Sequence, residues 1–595
     1  MTVTTNPYRA AALDQVWRLA ALVDRNPHSR TRGSFSRTHW AWKFSDFPFP
    51  RLQEGVCALV RLRELDDPHN PLFGATAVDE WVRWGFEYWV SLQHANGAFD
   101  EAYPNEQCLA ATAFTSFYLG DAFLRCRDRL DPALRARLES TFSRAGSWLC
   151  RNDETHGILS NHLAAAAAAL ETIRRIAGRP EFSDRARVFI ERILEHQSTE
   201  GWLREYDGAD IGYGTHGFFY LAAYWKMTGC ERTHGALDRF AGFLEYFVHP
   251  DGTIGGEYGS RDTEFYYPAG FELFAAESQA AAAIAAGLRS AVSERRVCGV
   301  WSMDAYNFMP MLNNVLFAVD AVETGVASEA GRAGTAGTAG EAAAPPLPYR
   351  RPPFAKRFDE AGLWVVNRDR FYAVVGLSKG GTVSVFDKAA RQLGARHSGL
   401  VAARQDGDPI TSQDYRLSPV ARWTSDSTSV ELVVPWKTLK TTVFAPFLFL
   451  LFRLFTMTLG RFPAISRWVK TLLVHTLIRS KSRPAVTHLR RIAIAADGID
   501  GIEIVDDLTL PSGTSEVRAV EQFTAMHMGS AFYADVRSAG PSAGVHAWPV
   551  PASGRLRLHG RLTATGAAWS HEPSAPTGQP SSLSAQPSAF SPGTT

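Results

Sequence analysis

The stretch Glu200 to Tyr220, EGWLREYDGADIGYGTHGFFY, gathers carboxyl, phenol and imidazole groups into one short run: Glu205, Tyr206, Asp207, Asp210, Tyr213 and His216. These are the groups that give and take protons in general acid–base chemistry. Gly208, Gly212 and Gly214 predict a loop here rather than helix or strand, entering an aromatic-rich helix near its end. So many ionisable groups in one loop fit a site held on a rigid scaffold. A solvated connection between two helices is the plainer alternative.

Three further loops share the pattern. Each follows a turn of Gly plus an apolar residue: Asn96-Gly97-Ala98-Phe99, His156-Gly157-Ile158-Leu159, Glu200-Gly201-Trp202-Leu203 and Asp251-Gly252-Thr253-Ile254. The turns recur roughly every fifty residues, a helical-hairpin period. Equivalent loops of stacked hairpins fall at one end of the array, so the four polar loops should meet on one rim. They contribute Glu106 from the first, Asn161 and His162 from the second, Glu205 and Asp210 from the third, and Glu257 and Arg261 from the fourth. A carboxyl pair such as Glu106 and Asp210 would suit glycoside hydrolysis, which places two carboxyls across the scissile bond.

The scaffold around these loops reads as helical from about residue 53 to 326. Leu163 to Leu170, LAAAAAAL, is a strong helix former whose small side chains let neighbouring helices approach. Asn161 would stand at its start, where a helix cap is the alternative to a chemical role. Before it, residues 28–55 are Arg-, Ser- and Trp-rich and lack periodicity. Arg37 and Trp40, with Arg32, His39, Trp42 and Lys43, suit an anionic or sugar ligand, or else wrap the domain with the tryptophans as anchors.

Residues 327–352, rich in Gly, Ala and Pro, read as a linker between a first domain at 1–326 and a second at 353–565. The period then becomes two, as in LWVVNRDRFYAVVGLSKGGTVSVFD, which predicts an antiparallel β-sandwich. The fold class is thus α+β and multidomain. Residues 566–595 have the composition of a disordered tail. An insertion at 441–483 breaks the strand pattern with an apolar run, Val443–Phe452, and a basic amphipathic segment containing Trp468. Between Lys437 and Arg483 there is no acidic residue. Two helices lying on an anionic membrane surface are expected, though packing on the protein itself would also bury the run.

With 595 residues, 45% apolar, 21% charged and a net charge of +1, the chain reads as globular, with no bulk attraction to nucleic acid. The six cysteines form no CxxC pair and read as buried thiols, neither a disulfide frame nor a metal site. No cofactor motif is present. The N-terminus has no apolar core of a secretory signal, so a cytoplasmic or membrane-peripheral location is expected.

A helical array, a linker and then a β-sandwich, with Asn161-His162 opening a helix and Tyr213 about fifty residues on, resembles the heparinase II/III-like and alginate-lyase-like polysaccharide lyases. The resemblance is organisational over residues 30–565 and confined to short motifs. It implies an (α/α) toroid, a uronate-containing polysaccharide as substrate, and β-elimination without a cofactor; the membrane reading of the insertion adds lipid-linked glycan as an alternative substrate. The resemblance also implies a histidine from the sandwich, for which His397 in GARHSGLVA is the candidate. On this reading Asn161 and His162 polarise the uronate carboxylate with Arg261 nearby. Tyr213 serves as base, acid or both, and His216 and His397 are alternates. The loop departs from the family pattern, reading DGADIGYGTHGFFY where a Glu-Gln-Ser and a Tyr-His step are usual. A hydrolase or uronate epimerase of the same fold, or a non-catalytic glycan binder, are the other classes the sequence accommodates.

Overall fold

A computed structural model of the chain describes residues 6–154, 157–205, 208–333 (backbone only from 326), 344–405, 407–439, 445–462, 465, 466, 468, 469, 484–495, 501–521 and 546–572. Tyr206, Asp207, most of the second half of the insertion and residues 573–595 lie outside them.

Six inner helices form a closed ring: Gly55–Glu64, Leu109–Cys126, Ser160–Ala177, Ile211–Thr228, Ala269–Phe274 and Ala305–Ala333, each packed on the next and the last on the first. Between them the chain runs out through outer helices such as Thr76–Leu92, Pro132–Arg151, Glu181–Glu195, Glu231–Leu244 and Gln279–Ser293. The sequence explains the division. Inner helices are apolar or small all round, and the run Leu163–Leu170 is buried without exception. Outer helices carry one apolar stripe, as Phe182, Ala186, Phe189, Ile190 and Ile193 do.

All four turn glycines, Gly97, Gly157, Gly201 and Gly252, have positive φ. The requirement is also one of space. A Cβ on Gly97 would lie 2.2 Å from the Arg144 carbonyl oxygen, and one on Gly201 2.4 Å from that of Arg239. The Gly97 and Gly201 turns thus rest on the backbone of the next outer helix, and the Gly252 turn packs on the Ala291 and Arg296 side chains.

Two expectations shift. The glycines after Asp210 do not extend the loop. The helix starts at Ile211, capped by the Asp210 side chain on the Tyr213 N–H, so Tyr213 and His216 stand on its first two turns. Gly212 and Gly214 serve close packing against Thr263 and Phe240. The last toroid helix runs on to Ala333, and the last strand ends at Glu572, beyond 565.

The second domain is antiparallel. A five-stranded sheet (Phe354–Phe358, Leu363–Asn367, Phe371–Gly376, Thr382–Asp387, Gln392–His397) stacks on a six-stranded one, which also packs on a third sheet containing Leu400–Arg404 and Thr514–Ala519. The first sheet is buried on both faces. Trp364, Val366, Ala373, Val375, Val383 and Val385 enter the sandwich core, while Leu363, Val365, Tyr372, Val374 and Phe386 join the toroid core. The toroid and the sandwich therefore share one hydrophobic cluster. Rings interlock across it: His249 stacks on Phe386 at 4.2 Å, and Phe243 meets Phe358 edge-on at 5.1 Å.

Candidate functional site

The Ser160–Ala177 helix opens against the loop before Asp210. Ser160 Oγ donates to the Arg204 carbonyl (2.7 Å), and the Asn161 backbone N–H and side-chain amide donate to the two oxygens of Glu205, at 2.7 Å each. The cap of this helix is therefore Glu205, reaching in from another loop, and not Asn161. Burial dominates the Glu205 carboxyl and pushes its pKa up to about 8 in spite of those donors. At neutral pH it is mostly an uncharged acid. His162 follows, with Nδ1 2.7 Å from Glu154 Oε2. An ionised carboxylate only accepts, so Nδ1 is the nitrogen that donates to Glu154, and Nε2 is the one left for other partners. The His162 side chain is 21% exposed, against 3% for Glu154.

Asp210 ties the third loop to the fourth. Its carboxyl accepts from the Tyr213 N–H (3.0 Å), the Arg261 N–H (3.0 Å) and the Thr263 hydroxyl. Its acceptor capacity is taken up by the scaffold, which argues for positioning rather than direct substrate contact. Tyr213 is half-buried, edge-on to Phe265 at 5.2 Å, and the Arg261 guanidinium lies 5.3 Å from its ring centroid. A fixed cation thus stands beside the phenol and close to Glu205, whose charge it would favour.

A continuous chain of ring contacts links Tyr213 to His162. Phe265 meets Tyr267 (5.5 Å), Tyr267 stacks on His216 (4.1 Å), His216 stacks on Phe114 (5.6 Å), and Phe114 meets His162 edge-on (5.6 Å). The middle of this chain is core. His216 is 4% exposed, its Nε2 is 3.1 Å from the Tyr220 hydroxyl, and burial holds its pKa well below the usual imidazole value. It is a neutral packing residue, while the two ends of the chain are partly exposed. Arg51, which the sequence did not single out, lies over Phe114 at 4.3 Å and pairs with Glu54 (3.0 Å) and Glu101 (3.3 Å).

The sandwich contributes a different residue from the one expected. His397 pairs in register with Val383, whose side chain is in the sandwich core. His397 lies there too, 1% exposed, 4.8 Å from the Trp569 ring, its pKa lowered by burial and by Arg490. Alternation turns its neighbour Arg396 to the toroid, 3.6 Å from Glu257 and 3.5 Å from Glu264. Ser398 donates to Glu257 at 2.7 Å, and the buried Lys379 donates to the Gly259 carbonyl at 3.1 Å. Glu257 and Asp262 are both pushed up by burial, against the pull of Arg396 and Lys379.

The remaining candidates are placed elsewhere. Arg37 donates to the Ala21 carbonyl (2.7 Å), and Trp40 Nε1 to that of Leu22 (2.9 Å), so both anchor the wrap to the end of the Val16–Leu22 helix. Glu106 accepts from the Glu101 and Ala102 N–H groups inside its own loop. Two surface hollows, of about 380 and 590 Å³, lie on the outer sheet and behind the Ser160–Ala177 helix, and none of the candidate residues lines them. Glu154, Arg51, Lys379 and Arg396 stand among these candidate groups without having been legible in the sequence. Only Arg396 left a signal, its strand neighbour His397.

Residues 75–270 match the family model of the ulvan lyase N-terminal domain. Among solved structures the chain is similar to a xanthan lyase from Paenibacillus (TM-score 0.52, 10% identity, covering 88% of this chain and 47% of that one). It is also similar to the chondroitin AC lyase of Streptomyces coelicolor A3 in complex with chondroitin sulphate (TM-score 0.52, 11% identity, covering 87% of this chain and 68% of that one). The chain therefore spans about half the length of the xanthan lyase. No curated protein matches it in sequence. The fold is that of the toroid polysaccharide lyases.

Proposed function

We propose that this chain, built on the toroid-and-sandwich fold of polysaccharide lyases, cleaves a uronate-containing polysaccharide by β-elimination at the rim between Asn161 and Arg261. The observation that carries this reading is that Tyr213 and His162 are both partly exposed at the starts of adjoining helices, with Arg261 against the Tyr213 ring.

The reaction removes the C5 proton of the uronate. The C5–H electron pair becomes the C4–C5 double bond, the C4–O4 bond breaks, and O4 leaves with a proton. Arg261, buried against the Tyr213 ring, acts through its charge and stabilises the negative charge that spreads onto the C6 carboxylate as C5 loses its proton. Tyr213 and His162 form the proton-transfer pair, one taking the C5 proton and the other supplying O4. Glu154 fixes His162 with Nε2 as the working nitrogen. Arg51, Lys379 and Arg396 add positive potential suited to a polyanion.

Glycoside hydrolysis would need two carboxyls facing the bond. Glu205 and Glu257 are buried and Asp210 is occupied by three donors, which favours elimination. Incubating the protein with uronate polysaccharides and following ultraviolet absorbance tests the reading. Elimination yields a conjugated unsaturated uronate, whereas hydrolysis yields reducing ends alone.

The insertion 441–483 extends the proposal to reaction at a membrane surface, on lipid-linked or nascent glycan. Its support is an apolar helix, Pro446–Met457, of which only Thr456 is fully buried, within a stretch free of acidic residues. Among the described residues no helix is long and apolar enough to cross a membrane. Deleting 441–483 should abolish co-sedimentation with anionic vesicles, and unchanged binding would remove this part.

A further inference from the structure

We infer that the loop around Trp42 and Phe44 joins the Pro446–Met457 helix in one lipid-binding face, whose occupant is the surface of an anionic bilayer. The inference rests on the membrane reading of the insertion and adds to it a second segment, distant in sequence.

The helix is docked along one stripe only. Arg453 pairs with Asp46 at 3.0 Å, Phe452 meets Tyr103 edge-on at 5.1 Å, and Asn105 donates to the Thr456 carbonyl at 3.0 Å. Ser466 bonds the Asn105 carbonyl further on. The rest of the helix faces solvent: Phe447 is 67% exposed, Leu450 63% and Leu454 60%, and Trp468 follows at 67%. A helix apolar all round is stable when covered on all sides, and this one is covered on one.

The Arg453–Asp46 pair brings in the second segment. Two and four residues before Asp46 stand Phe44, 91% exposed, and Trp42, 61% exposed. Between them Lys43 takes a left-handed conformation (φ +60°), uncommon for a residue with a side chain. The chain holds a strained turn here, and both rings flanking it are in solvent. Trp40, two residues earlier, is anchored to the Leu22 carbonyl, so the loop springs from a fixed base.

Charge selects the occupant. From Lys437 to Arg483 the sequence has nine Lys and Arg and no Asp or Glu, and Lys43 adds a cation between the two exposed rings. Exposed aromatic and aliphatic side chains in a stretch whose sequence carries only positive charge suit insertion among anionic headgroups, with the acyl boundary taking the rings. A second copy of the chain would bring the same cationic stretch and be repelled. Tyr103 and Asn105 belong to the first rim loop, so the bilayer would lie beside the mouth that takes the glycan.

The test uses the full chain, with vesicles of phosphatidylcholine alone and of phosphatidylcholine with phosphatidylglycerol. The wild type should bind the anionic vesicles preferentially and lose binding at high salt. Trp42→Ala with Phe44→Ala should weaken binding by about tenfold or more while the insertion stays intact. Leu450→Glu with Leu454→Glu should weaken it as well. All four side chains are exposed, so melting temperatures should be unchanged. If the wild type binds and the Trp42/Phe44 variant binds equally well, the loop is not part of the face and this inference fails while the membrane reading stands. If the wild type ignores anionic vesicles, or its mass in solution doubles through this face, both fail. Activity on soluble polysaccharide should be the same in all three proteins, which separates this outcome from the lyase reading.

Discussion

At the residue scale, the proposed reaction divides the ionisable groups into those that would touch substrate and those that hold the site. Tyr213→Phe removes the proton-transferring hydroxyl and keeps the ring against Phe265. Turnover should fall by about 10²–10⁴-fold with an unchanged thermal melt. His397 and Arg396 give a paired test. His397→Ala opens a hole in the sandwich core and should cost about 2–4 kcal/mol in denaturant unfolding, with activity per folded molecule retained. Arg396→Ala should instead lower kcat/KM by about tenfold. The sequence singled out His397, which faces the sandwich core, and not Arg396 on the toroid side of the same strand, for a physical reason. That sheet is buried on both faces, so its apolar pattern does not tell which face meets the toroid, and the side chains alternate one residue at a time. Asn161, Tyr213 and Arg261 could be placed near one rim from the sequence because each follows one of the turns of the repeat. Glu154 and Arg51 could not, because each reaches the site from a segment with no pattern of its own.

At the element scale, the repeat is a statement about backbone. Gly97 and Gly201 have positive φ and press on a carbonyl oxygen of the next outer helix. Gly201→Ala should therefore destabilise the toroid by about 3 kcal/mol, read as a lower denaturant midpoint, far beyond the usual difference between Gly and Ala in a loop. The period of these turns was readable because spacing survives where side chains differ. The helix start at Ile211 was not, since Gly212 and Gly214 carry the same letters whether they break a helix or let Thr263 and Phe240 approach one. The cap from Asp210 decides between the two.

At the scale of the whole molecule, toroid and sandwich meet through a shared apolar cluster and a polar seam of buried carboxyls, and the seam makes stability depend on pH. Burial raises Glu205 to about 8 and Glu54 to about 7, and raises Glu257 and Asp262 as well. Between the ordinary carboxyl range and these values the folded state holds protons that the unfolded state has lost, so stability falls as pH rises through about 7 to 8. Buried His216, His249, His397 and His488 are held below the usual imidazole value and act in the opposite sense below about pH 6.5. The melting temperature should peak near pH 6.5 and decline toward pH 8, and Glu205→Gln should flatten the upper limb. The most direct measurement of the central claim is the absorbance of the unsaturated uronate, followed for wild type and Tyr213→Phe on the same panel of uronate polysaccharides. The account predicts a steady rise with at least one polymer for the wild type and its near-complete loss in the variant. New reducing ends without that absorbance, or a fully active Tyr213→Phe protein, would contradict it.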